Sequence, residues 1–364
     1  MIINTIEQIK DLTRGAVFLG TGGGGDPYVG QLLLQQEIRK GKYVKVIKAK
    51  DLADDAQVVS IAGIGAPSVL VEHLQSKDTC RQLLTKMEKQ LGRKVNAIIP
   101  AEIGGLNSII PMAVAAQVGL PVVDADGMGR AFPHLEMVTF SVYGSTAAPV
   151  CIANELGDSV IIEKTTSNRK VEDLARGICA NLGAMVYSAL YPMLGAEVKV
   201  KAVHDTLSYC LEIGRGIRLA REQLSNPIDG IMNILEQPKL DRHARILFEG
   251  KVVDINRETR DGWHWASVLM IPLNGKDDRF ELEIQNEYLK AKLNGKTTCL
   301  VPDLITTLDL DTCEPLTAEA LKYGQRLRII GTAATPIMRR PECLAVFGPI
   351  GFGMSEEFIP LEDL

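Results

Sequence analysis

The sequence predicts an α/β N-terminal domain with a mainly parallel sheet, followed by a C-terminal α+β domain that contains an antiparallel β-rich module. Up to about residue 145, apolar strands alternate with helices, which is typical of parallel strands buried on both faces. From about residue 244, successive strands are separated by Asp-Gly and Asn-Gly pairs, the usual turns of antiparallel hairpins. We place the division between the domains at residue 168, giving domains 1–168 and 169–364.

The N-terminal elements follow from capping residues and hydrophobic periodicity. Thr5 and Gln8 match the capping-box pattern at the start of a helix over 5–19. Asp26 and Pro27 are suited to the N-cap and first turn of a second helix. Strands are predicted at 43–49, 57–65, 97–105 and 121–129, and further helices within 67–91 and at 108–119.

The later elements are predicted in the same way. A hairpin is expected over 150–164, and helices are expected at 170–182 and 205–222. The β-rich module covers about 244–340.

One strand of that module changes its inward face. Apolar residues occupy even positions over 280–284 but odd positions over 289–293, so the register must change near 285–288, as at a β-bulge or a turn. Bulges often redirect side chains beside functional sites. Asn286 and Glu287 are therefore candidate site residues, although a plain loop would give the same pattern.

Composition narrows the class of protein. The 364 residues are 46% hydrophobic and 23% charged, with a net charge of −5 and only 5% aromatic residues, which predicts neither a nucleic-acid partner nor an anionic membrane surface. No apolar run reaches the roughly 18 residues of a membrane span. The seven cysteines form no C-x-x-C pair, which favours a reducing cytoplasm. An exposed sheet edge in the β module would favour a closed homo-oligomer.

The stretch GTGGGGDPY at 20–28 matches G-x-G-x-x-G, the pattern of dinucleotide-binding loops. The segment before it reads mainly as helix, and Asp26 places a negative charge where a pyrophosphate would lie. We therefore predict no nucleotide cofactor. A flexible link between two helices stays open as an alternative. The favoured interpretation is a backbone that approaches a small ligand closely. The binding candidates here are Thr21, Gly22, Gly23, Gly24 and Asp26.

Acidic residues follow two of the predicted strands. Glu102, Asp124 and Asp126 lie where ligands bind in open parallel sheets, beyond the carboxyl ends of the strands. If the strand continues, Asp124 and Asp126 share a face, and two close carboxylates raise one pKa, which suits proton transfer near neutral pH. These three are the candidate catalytic residues, with Asp126 the favoured base. A helix cap or a turn is the structural alternative for either Asp.

Two basic residues follow in the same stretch. Arg130 is a candidate binding residue, or else a structural partner of the acids. His134 is a candidate binding residue. No organic cofactor is predicted, and a divalent metal held by Asp124, Asp126, Glu102 and His134 is a further alternative.

Several motifs together resemble a known family. They are LGTGGGGDPYVG (19–30), PAEIGGLNS (100–108), GLPVVDADGMGRAFPHLEM (119–137), IQNEYL (284–289), VPDLI (301–305) and GPIGFG (348–353). They look like the S-methyl-thiohydantoin desulfurase family, long catalogued as a domain of unknown function associated with hydantoin utilisation. Asn107 joins the substrate-binding candidates through the second motif. His134 departs from the family pattern, in which glutamate is more common.

The resemblance implies hydrolytic removal of a thiol from a thiohydantoin ring, giving a hydantoin, in the breakdown of sulfur-containing histidine derivatives. Asp124 or Asp126 would then act as base, and Glu102 would hold or protonate a ring nitrogen. Arg130 would bind a substrate carboxylate. Backbone N–H groups of the glycine loop would bond a ring carbonyl. Two alternatives remain: a metal-assisted hydrolase of cyclic amides or ureides, and a non-catalytic accessory subunit of a hydantoin-utilisation system.

Overall fold

The architecture is taken from a computed structural model, which describes residues 1–65, 78–223, 225–237, 242–260 and 263–364. Its helices are α1 Ile6–Leu19, α2 Tyr28–Arg39, α3 Thr79–Leu91, α4 Leu106–Val118, α5 Thr139–Val142, α6 Asn168–Asn181, α7 Gly195–Lys201, α8 Thr206–Glu222, α9 Pro227–Leu235 and α10 Pro341–Phe347. Of the helix predicted within 67–91, the part from Thr79 is observed, and residues 66–77 lie outside the described part.

The strands form two large sheets and one short pair. They are β1 Ile2–Ile3, β2 Val44–Ile47, β3 Gln57–Gly65, β4 Ala97–Pro100, β5 Val122–Val123, β6 Ala125–Asp126, β7 Val150–Ala153, β8 Ser159–Ile162, β9 Met185–Leu194, β10 Val203–His204, β11 Ala244–Arg260, β12 Trp263–Ile271, β13 Phe280–Gln285, β14 Glu287–Leu293, β15 Lys296–Leu300, β16 Leu304–Asp309, β17 Pro315–Leu316 and β18 Arg326–Thr332.

The first sheet has the order β1-β2-β5-β4-β3-β9-β7-β8. Its strands β2, β5, β4 and β3 are parallel, which confirms the predicted α/β arrangement. Antiparallel strands extend it on both sides, and the hairpin β7–β8 lies where it was expected. Strand β9 follows residue 168 in sequence but pairs with β3 and β7, so this sheet draws on both predicted domains. The division at residue 168 stays a prediction.

The second sheet is antiparallel throughout, in the order β15-β14-β13-β12-β11-β18-β16-β17, which confirms the predicted β-rich module. Asn294 and Gly295 connect β14 and β15 with φ of 50° and 79°, as a tight hairpin turn requires. The ladder between β13 and β14 shifts between Glu283 and Ile284, so the predicted change of register is confirmed. The two strands meet at Asn286, whose φ is 58°.

Helices α1 and α8 pack closely enough to require glycine on both sides. The capping box of Thr5 and Gln8 is present at the start of α1. A Cβ atom on Gly15 would lie 1.9 Å from the carbonyl oxygen of Cys210, and one on Gly214 would lie 1.7 Å from that of Asp11. This contact fixes α8 against α1 and so positions the first turn of α8 beside β6.

Two further expectations from the sequence concern membrane-spanning helices and the cysteines. Among the described residues, no helix has the length and apolar character that a bilayer crossing needs. The seven cysteines are buried and form no disulfide.

Gly214→Ala is expected to destabilise the fold by about 3 kcal/mol or more, because the added methyl group overlaps a backbone carbonyl that cannot move aside. The matched control is Gly177→Ala in α6, where no atom lies within 4 Å of the new Cβ atom. That control should gain about 0.5–1 kcal/mol from helix propensity. Urea unfolding of both variants measures the difference, and equal midpoints would contradict the close packing of α1 and α8.

Candidate active site

The glycine loop, residues 20–25, follows helix α1 directly, so the strand that a dinucleotide-binding loop requires is not there. A Cβ atom on Gly22 would lie 2.5 Å from the Tyr288 ring, and one on Gly23 would lie 2.1 Å from Glu287 Oε1. The glycines therefore make room for the start of β14. A close approach of this loop to a ligand stays a prediction.

Backbone hydrogen bonds join this loop to two other segments. The carbonyl of Thr21 accepts from Tyr288 N at 2.7 Å, and that of Gly24 accepts from Leu106 N at 2.9 Å. A Cβ atom on Gly24 would lie 2.5 Å from the Gly104 carbonyl carbon. The loop thus brings the start of β14 and the connection after β4 together.

Glu102 lies in that connection after β4 and is buried. Its Oε1 accepts a hydrogen bond of 2.5 Å from Asn107 Nδ2, and Asn107 Oδ1 accepts from the Gly63 N–H at 2.7 Å. Its Oε2 makes no hydrogen bond of normal geometry to any described residue. Asn107 therefore holds Glu102 at the end of β3, with one carboxylate oxygen left over.

Asp126 is the last residue of β6 and is fully buried. Its Oδ2 accepts hydrogen bonds from the N–H groups of Met128 at 2.9 Å and Gly129 at 2.8 Å. Its Oδ1 makes no hydrogen bond of normal geometry to a described residue, although the Thr206 hydroxyl and the Ile103 N–H lie close enough to the carboxylate to lower its pKa. The loop after β6 thus fixes one oxygen of the carboxylate and leaves the other available.

Glu287 is the first residue of β14 and is buried against Gly23. Its Oε2 also has no hydrogen-bond partner within the described residues. The charge of Glu287 interacts with those of Glu102 and Arg130. We call Glu102, Asp126 and Glu287 the acid cluster.

The acid cluster titrates near neutral pH. Burial raises the pKa of Asp126 to about 7, although the N–H groups that bond it act in the opposite direction. Burial also raises the pKa of Glu102 to about 8, with a further contribution from Asp126, and that of Glu287 to about 8, with a further contribution from Glu102. Carboxyl groups with such pKa values can both accept and donate protons at pH 7.

Asp124 lies in a different environment from the one expected. It does not act as the carboxylate neighbour of Asp126, because its Oδ2 forms an ion pair of 2.7 Å with Lys48 and its Oδ1 accepts from Ser208 N at 2.9 Å. Lys48 also pairs with Asp205 at 2.6 Å. These contacts tie β2, the end of β5 and the first turn of α8 together, and a part for Asp124 in proton transfer stays a prediction.

Arg130 is fully buried, and its donors are taken by backbone carbonyls. It bonds the carbonyls of Ala131 at 3.1 Å, Asp303 at 2.9 Å and Tyr288 at 2.9 Å. Burial lowers its pKa to about 10, and Glu287 partly offsets this change. Arg130 therefore joins the loop after β6 to the start of β14, and its binding of a substrate carboxylate stays a prediction.

Two family models match the sequence from end to end. The N-terminal domain of the S-Me-THD-like family matches residues 7–164, and its C-terminal domain matches residues 166–361. The chain belongs to the S-methyl-thiohydantoin desulfurase-like family. The resemblance drawn from the motifs is therefore confirmed. Curated proteins offer no match.

One solved structure shares this fold over its whole length. It is the X-ray crystal structure of a structural-genomics protein from Chromobacterium violaceum, with a TM-score of 0.81 and 24% sequence identity. The match covers 99% of this chain and 100% of that chain. At this identity the likeness shows the fold alone.

His134 lies in a separate polar group. Together with Glu136 and Glu172 it brings three potential ligand atoms within 4.8 Å, a grouping the described residues show only here. Arg176 bonds Glu172, and Arg169 bonds Glu136 Oε1 at 2.9 Å. Burial raises the pKa of Glu172, but His134 and Arg176 outweigh it and lower the value to about 2. His134 thus does not join the aspartates and Glu102, as the metal alternative had placed it.

The remaining candidates support the site from its edges. Asn286 bonds β12, since its N–H donates to the His264 carbonyl at 2.7 Å and its Oδ1 accepts from His264 N at 2.9 Å. Asp26 is exposed and accepts from Tyr28 N at 2.9 Å, while Pro27 takes the N-cap position that was predicted for Asp26. Thr21 is buried, with a hydroxyl that has no partner among the described residues.

Sequence reasoning missed four side chains that act on the acid cluster. Arg176 lowers the pKa of Glu102 and Glu287, and Thr206 lowers that of Asp126. The charge of Arg242 interacts with that of Asp126, and Tyr209 packs against Arg242. None belongs to a motif, and only long-range folding brings them to the cluster.

Glu287→Gln is expected to stabilise the fold increasingly as pH rises. Burial raises the pKa of Glu287 in the folded state from 4.5 to about 8, so the cost of ionising it is absent below about pH 4.5 and grows up to about pH 8. Since Gln resembles the protonated acid, the variant should gain roughly 2–4 kcal/mol over the native chain at pH 8.5 and much less at pH 5.

Urea unfolding at both pH values measures this gain, with Glu281→Gln on the exposed side of β13 as the control. The control should change by less than about 0.5 kcal/mol at either pH. A gain for Glu287→Gln that is the same at pH 5 and pH 8.5 would contradict the raised pKa.

Proposed function

We propose that this chain hydrolyses an S-methyl thiohydantoin to the hydantoin and releases methanethiol, as a step in the catabolism of sulfur-containing histidine derivatives. The observation that carries the proposal is the buried acid cluster, with pKa values of about 7 and about 8, in a chain of the S-Me-THD-like family. Each of its three members lies within one of the motifs that carry the family resemblance.

The reaction needs a base, and Asp126 suits that role. The carbon that bears sulfur is flanked by ring nitrogens and behaves like the carbon of an amidine. Water must lose a proton as its oxygen bonds this carbon, and Asp126, with a pKa of about 7, is about half ionised at neutral pH. Oδ1, the oxygen without a hydrogen bond to a described residue, is the one that accepts the proton.

Glu102 and Glu287 supply acids to the same site. With pKa values of about 8, both are mainly protonated at pH 7, so either can donate a hydrogen bond to a ring nitrogen or carbonyl. We assign the ring nitrogen to Glu102, because Asn107 fixes its orientation. As the C–S bond breaks, the electron pair leaves with sulfur, and the thiolate takes a proton to become methanethiol.

Asp126→Asn is expected to lower the rate of thiol release by about 10²–10⁴, because the amide keeps the shape and loses the base. The melting temperature should change little, since the amide oxygen can still accept from Met128 and Gly129. Thiol release from an S-methyl thiohydantoin with a propionate side chain measures the rate. EDTA should leave the native rate unchanged, whereas the metal-assisted alternative requires its loss.

Asp124→Asn is the matched control for that variant. It breaks the buried ion pair with Lys48, so it should lower the melting temperature more than it lowers the rate per folded molecule. A fall in rate as large as that of Asp126→Asn, with a native melting temperature, would assign the base to Asp124.

The dependence of kcat/KM on pH is expected to be a narrow bell. The rate should rise as Asp126 loses its proton near pH 7 and fall as Glu102 loses its proton near pH 8. The two apparent values belong to the coupled cluster. Glu102→Gln should flatten the alkaline limb and keep the acidic one, and an alkaline limb that survives this change would argue against Glu102 as the acid.

A further inference from the structure

Thr206 and Arg242 interact with the buried carboxylate of Asp126, and Tyr209 packs against Arg242. Asp126 Oδ1, Thr206 Oγ1, Tyr209 OH and Arg242 Nη1 are all buried and make no hydrogen bond of normal geometry to a described residue, although Thr206 and the Ile103 N–H lie close enough to the Asp126 carboxylate to lower its pKa. Arg242 is only 7% exposed, Tyr209 3% and Thr206 2%. So many unpaired polar atoms in one interior region indicate a binding place for a polar group.

Strand pairing and helix geometry bring these side chains close together. Strand β10 pairs with β6 so that Val203 faces Asp126, and α8 begins three residues later at Thr206. Thr206 and Tyr209 are three residues apart and therefore lie on the same face of α8. The Arg242 guanidinium carbon lies 5.0 Å from the centre of the Tyr209 ring, and its charge interacts with that of Asp126.

The hydrogen bonds of Asp126 determine which of its two carboxylate oxygens faces the group that gives up a proton. Oδ2 already accepts from two backbone N–H groups, so Oδ1 is the oxygen that can take a proton. The Thr206 hydroxyl lies close enough to the carboxylate to lower its pKa, yet the two make no hydrogen bond of normal geometry. A small polar group that bonds both atoms from one side would satisfy both.

The hydrogen-bond donors and acceptors around this position determine which kind of group can bind there. Ionised Oδ1 only accepts hydrogen bonds, and Arg242 Nη1 only donates them. A carboxylate would meet Arg242 but not Oδ1, and an ammonium group would meet Oδ1 but not Arg242. Water does both, and it fits the number of partners that buried waters have.

We propose that Thr206, Tyr209 and Arg242 hold the attacking water against Asp126 Oδ1. This inference rests on the proposed hydrolysis and identifies the residues that position its nucleophile. Arg242 and the hydroxyls orient a lone pair of the water toward the thiohydantoin carbon while one of its protons points at Asp126. As the O–C bond forms, Asp126 takes that proton, and the C–S electron pair leaves with the methylthiolate.

The test compares Thr206→Val, Tyr209→Phe and Arg242→Gln in the full-length protein, with hydroxylamine added as a competing nucleophile. Each variant should lower kcat for hydrolysis at least ~10-fold and change KM less than ~3-fold, because the ring-binding acids are untouched. The hydroxylamine adduct should also form a larger share of the product, since the variant no longer favours water. Arg215→Gln, on the exposed side of α8, should match the native protein in both measurements.

A fall in kcat with an unchanged share of hydroxylamine adduct would overturn the proposal, because the three residues would then act on the fold or on the acids. If Arg242→Gln fails to fold, Thr206→Val and Tyr209→Phe decide by the same measurement. If the native protein releases no thiol, the proposed function fails, and the water site is judged by a high-resolution crystal structure. Ordered water bonded to both Asp126 Oδ1 and Arg242 Nη1 would support the site, and direct contact of those two groups would overturn it.

Discussion

The site depends on burying three carboxyl groups from distant parts of the chain in one place. Burial is the largest cause of the raised pKa of each member of the acid cluster. It requires backbone segments to approach more closely than side chains allow, which is why Gly22, Gly23 and Gly24 sit against Tyr288, Glu287 and Gly104. The glycine-rich loop is therefore part of how the acids are kept from water.

Cationic side chains pair with some of the carboxyl groups in this region and not with others. Asp124 and Asp126 are two residues apart, yet Asp124 pairs with Lys48, whereas Asp126 has no ion pair with a described residue. Arg130 is buried nearby but bonds mainly carbonyl groups. Neighbouring carboxyl groups thus acquire different surroundings, one paired with a lysine and the other buried without an ion pair to a described residue.

Sequence patterns predicted the features that depend on local physics. Alternating strands and helices identified the parallel strands, Asn-Gly pairs marked hairpins, and a change of parity located the irregularity that delivers Glu287. For Arg130 and for the aspartates, the sequence left a functional and a structural interpretation open. The residues that these side chains contact lie far away in sequence, so local patterns could not decide between the two. Arg130, for example, bonds the carbonyl of Asp303. The same holds for β9, which enters the first sheet from beyond residue 168.

Because of these long-range contacts, both large sheets are needed to form the site. Glu287 reaches the cluster only because β14 of the antiparallel sheet docks on the glycine loop, through the bond from Tyr288 N to the Thr21 carbonyl. Separating these segments would let water reach the carboxyl groups and lower their pKa values toward those of exposed acids. The capacity of Asp126 and Glu102 to exchange protons at neutral pH is therefore tied to the same packing that holds the two sheets in contact. Burying these carboxyl groups costs stability, and the proposed chemistry requires them to be buried. The stability of this fold and its proposed chemistry are therefore linked.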